Sequence, residues 1–179
     1  MLLINAVSNL QESIDEGNSA LGIFVDFSKA FDTVNHTILL HKLENYGIRG
    51  TVHKLLSSYL SDRYQYVTYG GLNSTLLKVT CGVPQGSVLG PLLFIIFVND
   101  ISNVNNKVKY VLFADDLNMF LTNRDRKLLY QQANEVLLDI YNYCFENMLI
   151  INFEKCCYID FSRHNKKEDF FVGISNIEF

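Results

Sequence analysis

The sequence lacks most of the features that mark a zinc-binding, disulfide-bonded or membrane-spanning protein. Its four cysteines form no CxxC pair and have no histidines at ligand spacing. Neither a zinc site nor a disulfide framework is therefore predicted, and free buried thiols are expected. The longest apolar run, residues 88–98, contains a glycine and a proline. It is well short of the roughly 20 residues that span a bilayer, so a buried helix is expected there.

Basic residues are also in short supply. The chain carries 15 Lys and Arg residues against 19 Asp and Glu, a net charge of -4, which argues weakly against a stand-alone nucleic-acid binder. The first residues form neither a basic leader nor a long apolar segment. No signal peptide is therefore predicted, and the protein is expected inside the cell, in the nucleus or the cytoplasm. The 179 residues, 49% hydrophobic and 19% charged, are typical of one folded domain, expected over 1–179.

Hydrophobic periodicity predicts an α+β fold without internal repeats. Helices are expected where apolar residues recur at helical spacing, namely up to residue 17 and at 38–46, 51–59, 88–98 and 125–146. Strands are expected in short β-rich runs at 21–25, 110–113, 117–120 and 156–162, with a hairpin insert between 63 and 81. A surface turn at 166–169 and a further strand within 170–179 complete the chain.

Two adjacent carboxylates, Asp115 and Asp116, are predicted at the tip of a tight hairpin, between two runs of strand-forming residues. Apart from the insert, the order is strand, helix, strand, strand, helix, strand, which is the ferredoxin-like split βαβ pattern. A right-handed crossover makes the first strand parallel to the strand before the tip, with the strand after the tip antiparallel between them. Asp26, at the end of the first strand, should then converge with Asp115 and Asp116 on one edge of the sheet.

Converging carboxylates repel each other unless a cation neutralises them, and hard divalent ions such as Mg²⁺ prefer oxygen ligands. Such a site can hold two ions about 4 Å apart, which stabilise the attacking and leaving oxygens of a phosphoryl displacement. Nucleotidyl transfer is therefore the natural candidate reaction, with Asp26 and Asp115 as main ligands and Asp116 in support. The alternative for the acidic pair alone is a solvated turn.

Four segments, residues 24–36, 82–91, 113–116 and 152–155, resemble in order and spacing the reverse transcriptases of non-LTR (LINE-like, jockey-type) retrotransposons. The resemblance implies a right-hand polymerase palm with its core at about 21–162. It also implies an RNA-directed DNA polymerase that adds deoxynucleotides to a primer 3'-hydroxyl on an RNA template. The implied cofactor is a pair of Mg²⁺ ions, with Mn²⁺ as the alternative.

The resemblance assigns roles residue by residue. Its implied metal ligands are Asp26, Asp115 and Asp116, and Lys155 is the implied proton donor to the leaving pyrophosphate. The implied contacts to nucleotide and template are Phe31, Pro84, Gln85 and Gly86. Without the motifs, a core aromatic is the favoured interpretation of Phe31 and a solvated surface charge that of Lys155, and the Pro-Gln-Gly segment is compatible with a helix-capping turn. Asp32 is expected to be a helix N-cap rather than a metal ligand.

The chain departs from the resemblance in being short, because polymerases of this kind carry basic segments before the first motif and a further segment after the last. We therefore expect a partial reverse transcriptase domain. A second hypothesis is a non-catalytic remnant that binds nucleic acid or a partner. A third, a palm-type nucleotidyl cyclase or RNA-templated RNA polymerase, shares the two-metal site, but Phe31 and the Pro-Gln-Gly segment argue against it.

Overall fold

The structure, a computed structural model, describes residues 2–161, 172–174 and 177–178. The chain divides into two compact units, of which the first comprises Met1–Ser28 with Asp100–Phe179 and the second Lys29–Asn99. A single domain over residues 1–179 stays a prediction. Within the described residues, no helix has the length and apolar character needed to cross a membrane.

The elements follow the predicted order. In chain order the helices are α1 (Leu2–Asp15), α2 (Ala30–Thr33), α3 (His36–Asn45), α4 (Gly50–Leu60), α5 (Leu89–Val98) and α6 (Arg126–Glu146). The strands are β1 (Ser19–Asp26), β2 (Tyr64–Gln65), β3 (Thr68–Tyr69), β4 (Leu72–Asn73), β5 (Leu77–Lys78), β6 (Lys109–Phe113), β7 (Asp116–Asn123), β8 (Cys157–Asp160), β9 (Gly173–Ile174) and β10 (Ile177–Glu178). Short 3-10 helices occupy Asn99–Asn103 and Phe153–Lys155.

The first unit is built on a four-stranded sheet with the order β6, β7, β1, β8. Strand β7 lies between β6 and β1 and is antiparallel to both, so β6 and β1 run parallel. This is the arrangement that the right-handed crossover predicts. The predicted α+β fold with a split βαβ sheet is therefore confirmed.

Helices cover this sheet because its strands are apolar on both faces. On one face, Leu10 of α1 packs in a buried cluster with Ala20, Val111 and Phe120. The neighbouring positions of β1, Leu21 and Ile23, are also fully buried, as expected for a strand covered on both sides. The long helix α6 contacts β1 and β7.

Helix α6 is held at its beginning by a capping carboxylate and by hydrogen bonds to strand β8. The Asp125 carboxylate accepts hydrogen bonds from the N–H groups of Lys127 and Leu128, which caps the helix. Arg126, the first residue of the helix, donates to Asp160 of β8 at 2.7 Å, and one turn further on the Tyr130 hydroxyl donates to the same carboxylate at 2.8 Å. The start of the helix is thereby tied to the edge of the sheet.

The second unit contains four helices and the predicted hairpin insert. Strand β2 pairs with β5 and β3 with β4, all antiparallel, so the hairpin between residues 63 and 81 is confirmed with shorter strands than expected. At the start of α5, the Ser87 hydroxyl accepts from the Gly90 N–H at 3.0 Å. The N-cap position itself is Val88, one residue after the predicted Ser87, but the serine hydroxyl still satisfies an N–H of the first turn, in which Pro91 also falls.

Three expectations are wrong. Helix α5 is not buried all round, since Leu92 and Ile95 are each 52% exposed, because only one side of it packs on α2 and α3. Of the four free thiols, only Cys144 and Cys156 are buried, whereas Cys81, in an isolated bridge, and Cys157, the first residue of β8, are exposed. The third is the helix N-cap expected at Asp32, which instead lies within α2. In the tail, β9 and β10 pair, whereas the turn expected at 166–169 lies outside the described residues.

Candidate active site

The end of the first unit's sheet brings two acids face to face. Asp26 is the last residue of β1 and pairs in register with Asp116, the first residue of β7. The sequence folds this way because apolar runs form the strands and only two residues are left between β6 and β7 to turn the chain. The predicted tight hairpin is therefore confirmed, with Asp116 in the strand rather than in the turn.

Asp115 occupies the turn together with Ala114, whose φ of 53° is left-handed. An alanine in that conformation costs roughly 1–2 kcal/mol, which the pairing of the two flanking strands must offset. All three acids of the predicted constellation thus lie at the same end of the sheet. Their roles as ligands stay predictions.

Lys155 lies beside the first of these acids. Its Nζ is 3.7 Å from Oδ2 of Asp26, and the two side chains are 69% and 24% exposed. The Asn152 N–H donates to the Asp26 carbonyl at 2.8 Å, which brings the short helix that carries Lys155 against the end of β1. An exposed ion pair of this kind contributes little to stability. Its relevance is that it places a positive charge beside the Asp26 carboxylate.

A hollow of about 380 Å³ opens at this end of the sheet. Its polar lining residues are Asp26, Asp116, Asn118, Lys155 and Cys157. The structure therefore brings together two of the three predicted acids and the predicted proton donor, while Asp115 lies in the adjacent turn. Among the described residues, no group of three or more His, Cys, Asp or Glu side chains is placed to hold a metal ion.

The donor chemistry nevertheless fits a hard divalent cation. Asp26 and Asp116 offer carboxylate oxygens from opposed backbone positions. Mg²⁺ is commonly held by one or two carboxylates, with water and substrate phosphates completing its coordination. Two opposed carboxylates with a third in the adjoining turn meet that requirement without a closed cage of protein ligands.

The other predicted site residues belong to the second unit. The Phe31 ring is half-buried and lies 4.7 Å from the Phe94 ring, centroid to centroid. The Val83 N–H donates to the Phe31 carbonyl at 2.8 Å, so the segment before Pro84 is fixed against the chain at Phe31. Pro84 is half-buried, and Gly86 is exposed with a φ of 77°.

Close packing of the backbone explains why residue 82 is a glycine, which the motif alone does not explain. Its φ is +84°, and a Cβ added there would lie 2.7 Å from the backbone oxygen of Asp32. Its N–H donates to the Val34 carbonyl, and its own carbonyl lies 2.7 Å from Nε2 of His36. Only a glycine allows the two backbone segments to approach this closely.

Asp32 does not cap a helix, so that expectation is wrong. It lies inside α2, whose N-cap position is Lys29, while Asn35 caps α3 through the Ile38 N–H. The Asp32 carboxylate instead accepts a hydrogen bond of 2.8 Å from Nε2 of Gln85. The expected cap would have paired Asp32 with a neighbouring backbone N–H. The partner in the structure is Gln85, 53 residues further along the chain.

Sequence reasoning also missed a basic groove of about 540 Å³ in the second unit. Its charged and amide-bearing lining residues are Lys29, Asp32, Arg63, Gln65, Lys78 and Gln85. Residues 29–99 contain six of the 15 Lys and Arg residues but only three of the 19 Asp and Glu. This segment therefore has a net charge of +3 within a chain whose net charge is -4. The positions of the charged residues along the sequence would have revealed this basic segment.

The buried thiols take no part in this chemistry. Burial raises the pKa of Cys144 to about 12. Burial likewise raises the pKa of Cys156 above its usual value. Both thiols stay protonated near neutral pH and are poor nucleophiles.

A family model described as Reverse transcriptase (RNA-dependent DNA polymerase) matches residues 4–174 of this chain. The RNA-directed DNA polymerase from mobile element jockey of Drosophila melanogaster is 31% identical over 159 residues, which cover 84% of this chain and 17% of that protein. Its counterpart from Drosophila funebris is 34% identical over 113 residues, 59% of this chain and 12% of the relative. The chain thus spans less than a fifth of the length of these relatives.

Solved structures of telomerase from Candida tropicalis share the fold. The apo enzyme truncated from its C-terminal domain superposes with a TM-score of 0.66 at 14% identity, covering 96% of this chain and 37% of that one. Telomerase in complex with the TWJ fragment of telomeric RNA gives the same TM-score and identity, with 96% and 31% covered. At this identity the likeness concerns the fold alone.

Proposed function

The chain belongs to the reverse transcriptase (RNA-dependent DNA polymerase) family, and we propose that it is the palm of an RNA-directed DNA polymerase from a non-LTR retrotransposon. Its relatives include RNA-directed DNA polymerases of the mobile element jockey, so the resemblance predicted from the four motifs is confirmed. The family is one of nucleotidyltransferases. The proposed reaction adds deoxynucleotides to a primer 3'-hydroxyl on an RNA template.

The observation that carries this proposal is the register of Asp26 opposite Asp116. Enzymes of this family use divalent metal ions, and Asp26, Asp115 and Asp116 are the residues that would hold them, with two Mg²⁺ expected and Mn²⁺ as the alternative. When bound, such ions lower the pKa of the attacking hydroxyl and stabilise the departing pyrophosphate. The direct opposition of Asp26 and Asp116 supports Asp116 as a full ligand beside Asp115.

Other residues of the chain bind and orient the substrate in this proposal. Lys155, whose ammonium lies 3.7 Å from Asp26, donates a proton to the leaving pyrophosphate. Phe31 offers a flat ring that would clash with a ribose 2'-hydroxyl and so favours deoxynucleotides. Its position against Phe94 limits how far the ring can retreat. Pro84, Gln85 and Gly86 contact the nucleotide and the template strand.

Nucleic acid is the partner that the charge distribution supports. The groove lined by Lys29, Arg63 and Lys78 offers three cations to phosphates. Exposed aromatic residues of the hairpin, Tyr66 and Tyr69, add rings on which bases can stack. RNA template, DNA primer and deoxynucleoside triphosphates are the proposed ligands, met inside the cell in the nucleus or the cytoplasm.

Primer extension on an RNA template with Mg²⁺ tests the proposal. The 179-residue chain is compared with its Asp26→Asn and Asp116→Asn variants and with Glu44→Gln, which removes an exposed acid of the second unit that lines neither the hollow nor the groove. We expect extension by the unaltered chain and by Glu44→Gln, and a loss of at least about 100-fold in the two site variants, as for the removal of a transition-state contact. Equal extension by all four proteins would contradict the proposal.

The alternative function is a non-catalytic remnant that only binds nucleic acid. It is favoured by the basic groove lined by Lys29, Arg63 and Lys78, which can bind phosphates without a catalytic centre. This alternative predicts that single-stranded RNA binds the chain and that Arg63→Gln and Lys78→Gln weaken binding, while no protein extends a primer. Primer extension by the unaltered chain would exclude it.

A further inference from the structure

We propose that Asp32 is a positioning residue, whose carboxylate fixes the orientation of the Gln85 amide in the basic groove. This inference rests on the proposed function, in which Gln85 contacts the substrate. Nε2 of Gln85 donates to Oδ1 of Asp32 at 2.8 Å, and both residues line the groove. The bond leaves Oε1 and the second amide N–H of Gln85 for a ligand.

The orientation of the amide follows from the chemistry of its partner. An ionised carboxylate has only acceptor sites, so it pairs with the –NH₂ end of an amide and repels the carbonyl end. A flipped Gln85 would place Oε1 against Oδ1 of Asp32. The ligand therefore always meets the same donor and acceptor arrangement.

The backbones on both sides of this hydrogen bond are held in place. The Val83 and Gly82 N–H groups donate to the carbonyls of Phe31 and Val34, each at 2.8 Å. Next to them, Asn35 and Cys81 form an antiparallel bridge. Asp32 and Gln85 thus extend from, or next to, segments that are joined by two backbone hydrogen bonds and a bridge, which lowers the entropy lost when a ligand binds.

The charge of Asp32 is unfavourable for the binding of an anionic ligand in this groove. It is the acidic residue of a groove that also contains Lys29, Arg63 and Lys78. A carboxylate there repels the phosphates that these cations attract. Orientation of Gln85 explains why an acid is compatible with a groove for anionic ligands. The contact is exposed, so its contribution to folding is small, and its effect should be seen in binding.

The contact itself can be tested without any enzymatic activity. In the full chain, NMR locates the side-chain amide signals of Gln85 by their loss in Gln85→Ala. We expect its amide protons to exchange with solvent more slowly than those of exposed Gln131, and we expect Asp32→Ala to remove the difference. Asp32→Asn, which can pair with either end of the amide, should keep part of it. Unchanged exchange in Asp32→Ala would overturn the proposal.

The functional consequence is tested by single-nucleotide incorporation on an RNA template. We expect Asp32→Ala and Gln85→Ala each to raise the KM for the deoxynucleotide about 3- to 10-fold with little change in kcat. The double variant should be no worse than Gln85→Ala alone, because the two residues act through one contact. Additive effects would show that Asp32 acts independently of Gln85 and would contradict the proposal.

A matched control separates positioning from general damage. Glu44→Ala removes another exposed carboxylate of the second unit that does not line the groove, and it should leave KM and amide exchange unchanged. Thermal unfolding of Asp32→Ala should match that of Glu44→Ala. If the unaltered chain incorporates no nucleotide, the proposed function fails, whereas the amide measurement still decides whether Asp32 orients Gln85.

Discussion

Asp26 and Asp116 stand directly opposite each other where two antiparallel strands end. Like charges in that relationship destabilise a sheet by about 0.2–1 kcal/mol. The Lys155 ammonium lies 3.7 Å from the Asp26 carboxylate and offsets part of its charge. Removal of the charge at Asp116 should therefore relieve the repulsion without breaking an ion pair. Such a pair disfavours folding, and the binding of a cation explains why it is present. The protein without a bound cation should therefore become more stable when one of the two charges is removed.

We therefore predict that Asp116→Asn raises the free energy of unfolding by about 0.2–1 kcal/mol in the presence of EDTA. Urea denaturation of the variant and the unaltered chain measures this. Asp160→Asn is the control, and it should lower stability, because Asp160 accepts hydrogen bonds from Arg126 and Tyr130. A loss of stability in Asp116→Asn would contradict the repulsion.

Gly82 and Gly86 provide a matched pair for the packing below the Pro-Gln-Gly segment. Both have positive φ, +84° and +77°, but only at Gly82 would a Cβ meet backbone, 2.7 Å from Asp32 O. Gly86→Ala should cost about 1–2 kcal/mol from its backbone conformation alone. Gly82→Ala should cost clearly more, and equal losses in chemical denaturation would refute the close approach.

Tyr130 should make stability depend on pH in the alkaline range. Burial, reinforced by the hydrogen bond to Asp160, raises the pKa of Tyr130 from 10.0 to about 12. The folded protein therefore holds this proton more tightly than the unfolded chain does. The resulting stability is fully present below about pH 10 and is lost as pH rises through about 12. From pH 9 to pH 11, the free energy of unfolding measured with urea should decline less in Tyr130→Phe than in the unaltered chain. An identical decline in the two proteins would exclude a contribution from Tyr130.

Alkylation should divide the cysteines into two classes. Cys81 and Cys157 are exposed, whereas Cys144 is buried and burial raises its pKa to about 12. At pH 8, iodoacetamide should label the first two within minutes and Cys144 only after denaturation, because the thiolate is the reactive form. Mass spectrometry of peptides reads the outcome, and early labelling of Cys144 would show that the first unit opens.

Local patterns account for the parts of the molecule that the sequence could predict. The apolar run that ends at Asp26 and the two-residue tip before Asp116 are set by neighbouring residues, and chirality of the crossover then determines the strand order. These features suffice to bring the acids to one end of the sheet. The proposed catalytic centre could therefore be found before its geometry was known.

Pairings between distant segments could not be predicted in this way. Asp32 follows a helix-capping pattern, yet its partner Gln85 is 53 residues away. Both sides of α5 are apolar, so the sequence does not distinguish the exposed side from the buried one. The difference arises from packing on α2 and α3. The net charge of the chain concealed the basic segment, since a sum over all residues removes the position of each charge.

The measurement that tests the central claim most directly is binding of Mn²⁺ to the chain, followed by electron paramagnetic resonance and competed with Mg²⁺. The account predicts binding that Mg²⁺ displaces, that is lost in Asp26→Asn and Asp116→Asn, and that persists in Asp62→Asn. Equal Mn²⁺ binding by all four proteins, or none by the unaltered chain in the presence of primer, RNA template and nucleotide, would contradict it.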